Sequence, residues 1–165
     1  MLRRTALTSL ALAALSGCGF RLRGSVSTPQ YSLSVRGQVS GVARALINRL
    51  RSGGQSVWLA GDPKAPESTD YVLVVSQDTR QRAVRGSNAS GQVREINLKL
   101  SFRWSLVDAQ DVERIAPNEI VLEQDMSFSE SKVLGKKEEE NALFETLQER
   151  AVQNVIRQLA RVPSP

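Results

Sequence analysis

The chain has 165 residues, which is enough for one domain or at most two small ones. It contains no histidine and one cysteine, so histidine-based acid–base catalysis, an internal disulfide and a zinc site built from Cys alone or from Cys and His are excluded. A formal charge of +5 and a pI near 9.9 favour an anionic partner. Nucleic acid, anionic lipid and an acidic protein surface all fit that description, and composition does not choose among them.

The N-terminus has the pattern of a signal peptide over residues 1–17. Two arginines precede a short run of mainly Ala and Leu over residues 6–15, which is too short to span a bilayer. The run ends in Leu15-Ser16-Gly17-Cys18, which resembles the lipobox of bacterial lipoproteins and implies cleavage before Cys18 and triacylation of that residue. The alternative is an ordinary secretory peptide followed by a free cysteine. Because Gly19 and not Asp follows Cys18, the resemblance also implies sorting to the outer membrane.

Processing would leave a mildly basic mature chain. Removing residues 1–17 with their two basic side chains leaves 148 residues and a formal charge of +3, which disfavours nucleic acid as the partner. We predict a lipidated tether over residues 18–30, a single domain over residues 31–161 and a short tail over residues 162–165.

The first part of the domain predicts a strand, a helix and a second strand. Residues 31–36 alternate apolar and polar side chains, as a half-buried strand does. Ser40 is a candidate helix N-cap, and Gly53-Gly54 ends the helix. Its apolar stripe comprises Val42, Ala45, Leu46, Arg49 and Leu50. With a short strand at 57–59, this order predicts a crossover between parallel strands.

The second part predicts three strands in antiparallel order. A β-branched strand over residues 71–80 is followed by a hairpin loop over 83–91. Residues 96–106 are apolar at every second position, which is typical of a strand with one dry face, and Phe102 and Trp104 belong to that face. A turn over 108–118 leads to a last alternating strand over 120–128.

The chain ends in a long amphipathic helix. Residues 131–137 form a predicted basic loop, and Glu138-Glu139-Glu140 stands where a helix N-terminus favours negative charge. The apolar stripe that follows comprises Phe144, Leu147, Ala151, Val155 and Leu159. The predicted fold is therefore α+β: a two-layer sandwich with two helices packed on one face of a mixed, mostly antiparallel sheet of four to five strands. The other face of the sheet is left polar.

Catalytic motifs are weak in this sequence. Glu123 with Asp125, and Glu113 with Glu119, are candidate carboxylate pairs, but the strand pattern places Glu123 and Asp125 on the wet face. Glycine-rich phosphate loops and nucleophile elbows are absent. We therefore expect no enzyme, no cofactor and no metal. A lipid-anchored enzyme that uses Glu123 and Asp125 alone is the alternative.

Basic residues concentrate near two predicted loops. The first group surrounds the hairpin and comprises Arg80, Arg82, Arg85 and Arg94. The second precedes the last helix and comprises Lys132, Lys136 and Lys137. Such side chains suit the phosphorylated head group of a glycolipid, because both residue types bind phosphate and Arg does so with two parallel hydrogen bonds. A merely solubilising surface is the alternative.

Two segments resemble the LptE family of lipopolysaccharide-assembly lipoproteins. The segment Cys18-Gly-Phe-Arg-Leu-Arg-Gly24 is similar to the start of the mature family members. The stretch from Leu134 to Arg150 and the segment Ile156-Arg-Gln-Leu159 are also similar, as is the order of predicted elements.

The resemblance implies a non-enzymatic subunit of the outer-membrane translocon for lipopolysaccharide. Family members sit one-to-one as a plug inside the β-barrel of their partner, LptD, support its folding and bind lipopolysaccharide. The family's lipopolysaccharide contacts correspond here to Arg85, Arg94 and Lys136, with Lys137 adjacent. The resemblance implies no nucleic-acid partner. The alternative function is a periplasmic adapter lipoprotein of an inner-membrane lipid transporter.

Overall fold

The computed structural model of the chain describes residues 31–129 and 133–164. The predicted signal peptide, the lipidation of Cys18, the tether and Lys132 lie outside the described residues. The described residues form seven elements: β1 (Leu33–Gly37), α1 (Gly41–Ser52), β2 (Val57–Leu59), β3 (Tyr71–Ser87), β4 (Val93–Asp108), β5 (Glu113–Ser127) and α2 (Val133–Leu159).

The five strands form one mixed sheet in the order β2-β1-β3-β4-β5. Strand β1 pairs in parallel with both β2 and β3, and β3, β4 and β5 pair in antiparallel succession. The predicted parallel crossover through α1 is therefore confirmed, as is the α+β class with two helices and a mixed, mostly antiparallel sheet.

The two helices and one face of the sheet enclose the core. Helix α1 packs against β2 and β3, whereas α2 packs against β4 and β5, and the helices contact each other. All the apolar residues of the long alternation in β4 are buried, and Trp104 and Phe102 are the largest of the fully buried side chains. Their predicted place on the dry face is confirmed. In α1, Ala43 and Ile47 are buried, whereas Arg49, which the predicted stripe included, is exposed.

A β-bulge in β3 decides which side chains of that strand face the helices. The pairing of β3 with β4 shifts register between Val75 and Gln77. Val75 lies opposite Trp104 on the dry face, and Asp78 lies opposite Phe102 on the same face. The extra residue, Ser76, thus turns Asp78, Arg80 and Arg82 towards the helical layer.

The hairpin between β3 and β4 is longer than predicted. The loop predicted at 83–91 is wrong, because β3 continues to Ser87 and the turn spans only 88–92. The bulge interrupts the alternation of β3. The last residues of β3 are mostly exposed, so this part of the strand lacks the apolar pattern that identifies a buried strand.

The turn predicted at 108–118 is also too long. Strand β5 already begins at Glu113 and contains Pro117. Because β5 is an edge strand, Pro117 is tolerated where its missing N–H need not enter the ladder. The pairing of β4 with β5 shifts register in this region, between Trp104 and Leu106.

Helix α2 begins at Val133 rather than at the glutamates. The basic loop predicted at 131–137 is therefore wrong in its second half, since Lys136 and Lys137 are helical. The sequence was misleading because Gly135 lies in the first turn and two lysines precede the acidic run. An i,i+3 ion pair between Lys136 and Glu139, with 2.6 Å between Nζ and Oε2, offsets the unfavourable charge near the helix N-terminus.

The phenol of Tyr31 joins the start of the domain to its end. It donates a buried hydrogen bond of 3.1 Å to the carbonyl of Leu159, and its ring meets that of Tyr71 edge to face at 4.7 Å between centroids. Burial raises the pKa of Tyr31 above its ordinary value, and the neighbouring Tyr71 raises it further.

We predict that this phenol makes the fold sensitive to alkali. A pKa that is raised on folding contributes stability that is complete below the unfolded-state pKa of about 10 and is lost as the pH rises beyond it. Urea unfolding should therefore show a falling free energy of unfolding from pH 9.5 to 11.5. Tyr31→Phe should lose about 1 kcal/mol at pH 7 and show a shallower alkaline fall. An unchanged alkaline slope in Tyr31→Phe would contradict this role of the phenol.

Candidate anion-binding site

The predicted basic groups meet at one end of the sheet. We define the distal end as the β3–β4 turn at 88–92, the adjoining residues of those two strands, the last residues of β5 and the first turns of α2. Of the residues predicted for ligand binding, Arg85, Arg94, Lys136 and Lys137 all lie here. They are distributed over both faces of the sheet.

Arg85 and Lys136 approach neighbouring positions of β5. The Nη1 atom of Arg85 lies 3.4 Å from Oδ1 of Asp125. The Nζ atom of Lys136 lies 3.3 Å from the hydroxyl of Ser127. Asp125 and Ser127 are two residues apart on one strand face, which corresponds to a separation of about 7 Å. The fold therefore brings together two cations that are 51 residues apart in sequence.

Arg82 occupies the other side of the sheet at the same end. Its guanidinium lies 5.3 Å from the ring centroid of Phe128, and its Nε atom lies 3.2 Å from Oε2 of Glu140 in α2. Two residues nearer the core, Arg80 repeats the arrangement over Phe144, at 5.3 Å. Aromatic faces attract cations, so Phe128 and Phe144 hold the two arginines between the sheet and α2.

Arg94 and Lys137 are the more loosely held members. The guanidinium of Arg94 donates a 3.0 Å hydrogen bond to the side chain of Gln92. The backbone carbonyl of Arg94 accepts a 2.8 Å hydrogen bond from the backbone amide of Phe128. Lys137 is exposed in the first turns of α2 and forms no ion pair with the described residues. Arg94 shares the helix-facing side with Ile96, so Arg85 and Arg94 lie on opposite faces of the sheet.

Carboxylates already accompany three of these six cations, namely Arg82, Arg85 and Lys136. Arg85 pairs with Asp125, with exposed side-chain fractions of 54% and 44%, and such solvent-exposed pairs contribute about 0.2–1 kcal/mol. Lys136 has a side-chain exposure of only 16%. An anion with several phosphate oxygens can replace one weak carboxylate contact with more than one charge-assisted hydrogen bond. The site is thus chemically suited to a multivalent phosphate ligand that spans Arg85 and Lys136.

The candidate carboxylate pair of the sequence is occupied by structural contacts. Glu123 lies 3.7 Å from Nζ of Lys99, and Asp125 accepts a 2.6 Å hydrogen bond from the side-chain amide of Asn97. Glu119 pairs with Arg103 at 2.8 Å on the same open face. Within residues 31–129 and 133–164, no group of three potential ligands among His, Cys, Asp and Glu is placed to hold a metal ion.

Sequence reasoning missed Phe128 and Ser127 as parts of the site. The available signal was the predicted alternation over residues 120–128, whose last apolar member is Phe128, close to the basic segment before α2. What no pattern could supply was the bulge at Ser76, which brings Arg82 onto the same side as Phe128.

A protein-family model matches most of the chain. The family model LptE, described as lipopolysaccharide-assembly, matches residues 24–159. The chain belongs to the LptE family. This membership makes the chain a lipopolysaccharide-assembly lipoprotein. No match is found among curated proteins.

Solved structures of lipoproteins share the fold. The solution structure of an uncharacterized lipoprotein B from Nitrosomonas europaea is 26% identical, with a TM-score of 0.65, and the match covers 86% of this chain and 90% of that one. The rare lipoprotein B from Shewanella oneidensis is 20% identical, with a TM-score of 0.61 and coverages of 80% and 94%. A minor lipoprotein from Acinetobacter baumannii is 20% identical, with a TM-score of 0.56 and coverages of 81% and 93%. At 20% identity, the second and third comparisons establish the fold alone.

Within residues 31–129 and 133–164, no helix is both long enough and apolar enough to cross a membrane.

Proposed function

We propose that this LptE-family chain is anchored through Cys18 in the outer membrane and plugs an LptD-like β-barrel in a one-to-one complex. There it binds lipopolysaccharide through the distal end during assembly into the outer leaflet. The observation that carries the proposal is the convergence of Arg85 and Lys136 on neighbouring residues of β5 in a chain that belongs to the LptE family.

The polarity of the outer face of the sheet supports the proposal that the chain plugs a barrel. Its exposed side chains form a charge-balanced row of three ion pairs, in which Arg103 joins Glu119, Lys99 joins Glu123 and Arg85 joins Asp125. A β-barrel places its apolar side chains towards lipid and its polar ones towards the lumen. A polar sheet face with paired charges suits such a lumen, because it needs no broad apolar partner surface.

The partner is tested by affinity purification of the tagged full-length chain from detergent-solubilised membranes. A stoichiometric large β-barrel protein in the eluate is the expected result. Recovery of an ATPase–permease complex in its place would overturn the plug and favour an adapter of an inner-membrane lipid transporter. The same sample, digested and analysed by mass spectrometry, shows whether Cys18 carries the diacylglycerol thioether.

We predict that Arg85→Gln combined with Lys136→Gln weakens lipopolysaccharide binding at least about tenfold at moderate salt. Each substitution removes a charged donor to phosphate, and such contacts contribute about 1.5–3 kcal/mol when they are not screened. Binding is measured on the full-length protein in detergent, by displacement of a fluorescent lipopolysaccharide.

A charge-matched control separates the site from general attraction. Lys64→Gln combined with Arg103→Gln removes the same charge from exposed positions away from the distal end. We expect this control to bind within about twofold of the unmodified chain. Equal losses in both variants would refute the head-group assignment, while leaving the barrel partnership to the purification experiment.

A further inference from the structure

The helical layer carries a second basic surface, which is separate from the distal end. It consists of six exposed arginines of α1 and of the C-terminal part of the chain from residue 150 onwards: Arg44, Arg49, Arg51, Arg150, Arg157 and Arg161. We call this surface the arginine face. Neither α1 nor residues 150–164 contain an Asp or Glu.

The arginine face differs from the rest of the protein in lacking carboxylate partners. The ion pairs among the described residues are formed by cations of the sheet and by Lys136 at the start of α2. None of the six arginines pairs with an acidic side chain of residues 31–129 or 133–164. The cations of the sheet are therefore largely paired with carboxylates, whereas the six arginines of the arginine face are not.

Local helix energetics explain only part of this pattern. Arg49 and Arg157 lie in last helical turns, where cations interact favourably with the helix dipole. Arg51 also donates hydrogen bonds of 2.9 Å and 2.8 Å to the carbonyl of Val57. Arg44, however, lies near the N-terminus of α1, where a cation is unfavourable, and Arg150 lies in the interior of α2. The basic surface extends beyond what the helix ends require.

The ends of both helices lie where the chain enters the domain. Tyr31 bonds to the carbonyl of Leu159 at the end of α2. Gln55, just after α1, donates a buried hydrogen bond of 3.1 Å to the carbonyl of Tyr31. Tyr71 donates one of 2.9 Å to the carbonyl of Pro163. The basic ends of α1 and α2 therefore flank the residue at which residues 18–30 join the fold.

Three acidic side chains at this entry end are engaged elsewhere. Asp70 accepts hydrogen bonds of 2.6 Å from both the amide and the hydroxyl of Ser32. Asp108 lies 2.8 Å from Nη2 of Arg114, and Asp111 lies 3.6 Å from Nη2 of Arg36. These three carboxylates therefore do not neutralise the arginine face.

We propose that the arginine face binds the anionic phospholipid head groups of the membrane in which Cys18 is anchored. The proposal rests on that anchor, which is part of the proposed function. Tyr31 lies thirteen residues after Cys18, and an extended chain of that length reaches at most about 45 Å. Tethering at this distance keeps the arginine face at a high effective concentration beside the membrane surface. Each basic residue close to an anionic leaflet strengthens association about fivefold.

The test uses the full-length lipidated chain reconstituted into vesicles. An environment-insensitive fluorescent label is placed on Asn48→Cys, which is exposed on α1 among the arginines, and a matched control label on Ser90→Cys in the distal turn. Quenching by acrylamide is compared between phosphatidylcholine vesicles and vesicles with about 30% phosphatidylglycerol. Acrylamide is uncharged, so the vesicle charge does not act on the quencher.

We expect anionic vesicles to lower quenching of the Asn48→Cys label at least about threefold while leaving the Ser90→Cys label unchanged. Arg49→Gln combined with Arg157→Gln should remove that protection. Lys64→Gln combined with Arg103→Gln, which removes equal charge elsewhere, should preserve it. Equal quenching in both kinds of vesicle, or protection that appears only after a barrel partner is added, would overturn the proposal.

Flotation of the same samples separates this inference from the proposed anchor. A lipidated chain should float with phosphatidylcholine vesicles regardless of the arginine substitutions. Failure to do so contradicts the anchoring at Cys18. In that case flotation with the phosphatidylglycerol vesicles decides the role of the arginine face. Loss of flotation in the Arg49→Gln, Arg157→Gln variant supports the role, and unchanged flotation contradicts it.

Discussion

Replacing Asp78 with alanine is expected to lower the free energy of unfolding by about 3 kcal/mol. The buried carboxylate of Asp78, on β3, accepts hydrogen bonds from the first amides of α1: 3.2 Å from Val42 and 2.9 Å from Ala43. It therefore caps α1 from the sheet. Alanine would leave two buried amides without acceptors and remove a negative charge from the positive end of the helix dipole.

The conservative variant and a neighbour on the strand sharpen the test. Asp78→Asn keeps one oxygen acceptor but not the charge, so we expect about half of the alanine loss. Gln81→Ala alters an exposed residue of the same strand and should change stability by less than about 0.5 kcal/mol. Urea unfolding at pH 7 measures all three variants. A loss below about 1 kcal/mol for Asp78→Ala would mean that water or Ser40 satisfies these amides.

The cap illustrates which parts of the fold local sequence patterns can predict. Ser40 stands at the predicted N-cap position of α1. Its hydroxyl, however, donates a 3.0 Å hydrogen bond to the carbonyl of Asp78 and does not cap the helix. The true cap is 36 residues away from Val42 in sequence. Periodicity identifies α1 and β4 because each buries its own apolar stripe. A cap that crosses from strand to helix depends on the bulge at Ser76, which leaves no periodic signal.

The same limit applies to the candidate site. Arg85, Arg94, Lys136 and Lys137 were found because charge clustering and family resemblance are properties of contiguous segments. Their division between two faces of the sheet was not predicted, since the face of Arg85 depends on register shifts in β3, the first of them after Val75. The arginine face was missed for a related reason. Five of its six residues belong to two helices that only tertiary packing places side by side.

The distal end and the entry end, where α1 and α2 terminate, lie at opposite ends of the sheet, and their carboxylate contacts differ. At the distal end Lys136 and Arg85 are paired with Glu139 and Asp125. A ligand there must compete with internal partners, so binding favours anions that carry several phosphates. At the entry end the arginines have no such competitors among the described residues, so even monovalent head groups suffice. Under the two proposals, the distal end would select multiply phosphorylated glycolipids, whereas the arginine face would also accept monovalent phospholipid head groups.

Gly37→Ala is expected to be the most damaging substitution in β1, with a loss of about 4 kcal/mol. Gly37 has φ of +104°, a conformation essentially restricted to glycine. A Cβ atom at this position would lie 2.1 Å from the carbonyl oxygen of Val75. That oxygen accepts the 3.0 Å hydrogen bond from the amide of Gln38, which ends the pairing of β1 with β3. Relief of the clash therefore requires the two parallel strands to separate where α1 begins.

Gly54→Ala is the matched control for this prediction. Gly54 also has a positive φ, +85°, but no atom lies within 4 Å of the place that a Cβ atom would take, so alanine there adds backbone strain without a clash. We expect a loss of about 1 kcal/mol for Gly54→Ala, and the difference between the two variants measures the clash at Val75 alone. Equal losses in urea unfolding would contradict this assignment. If Gly37→Ala does not fold, far-ultraviolet circular dichroism will show loss of strand signal, which Gly54→Ala should retain.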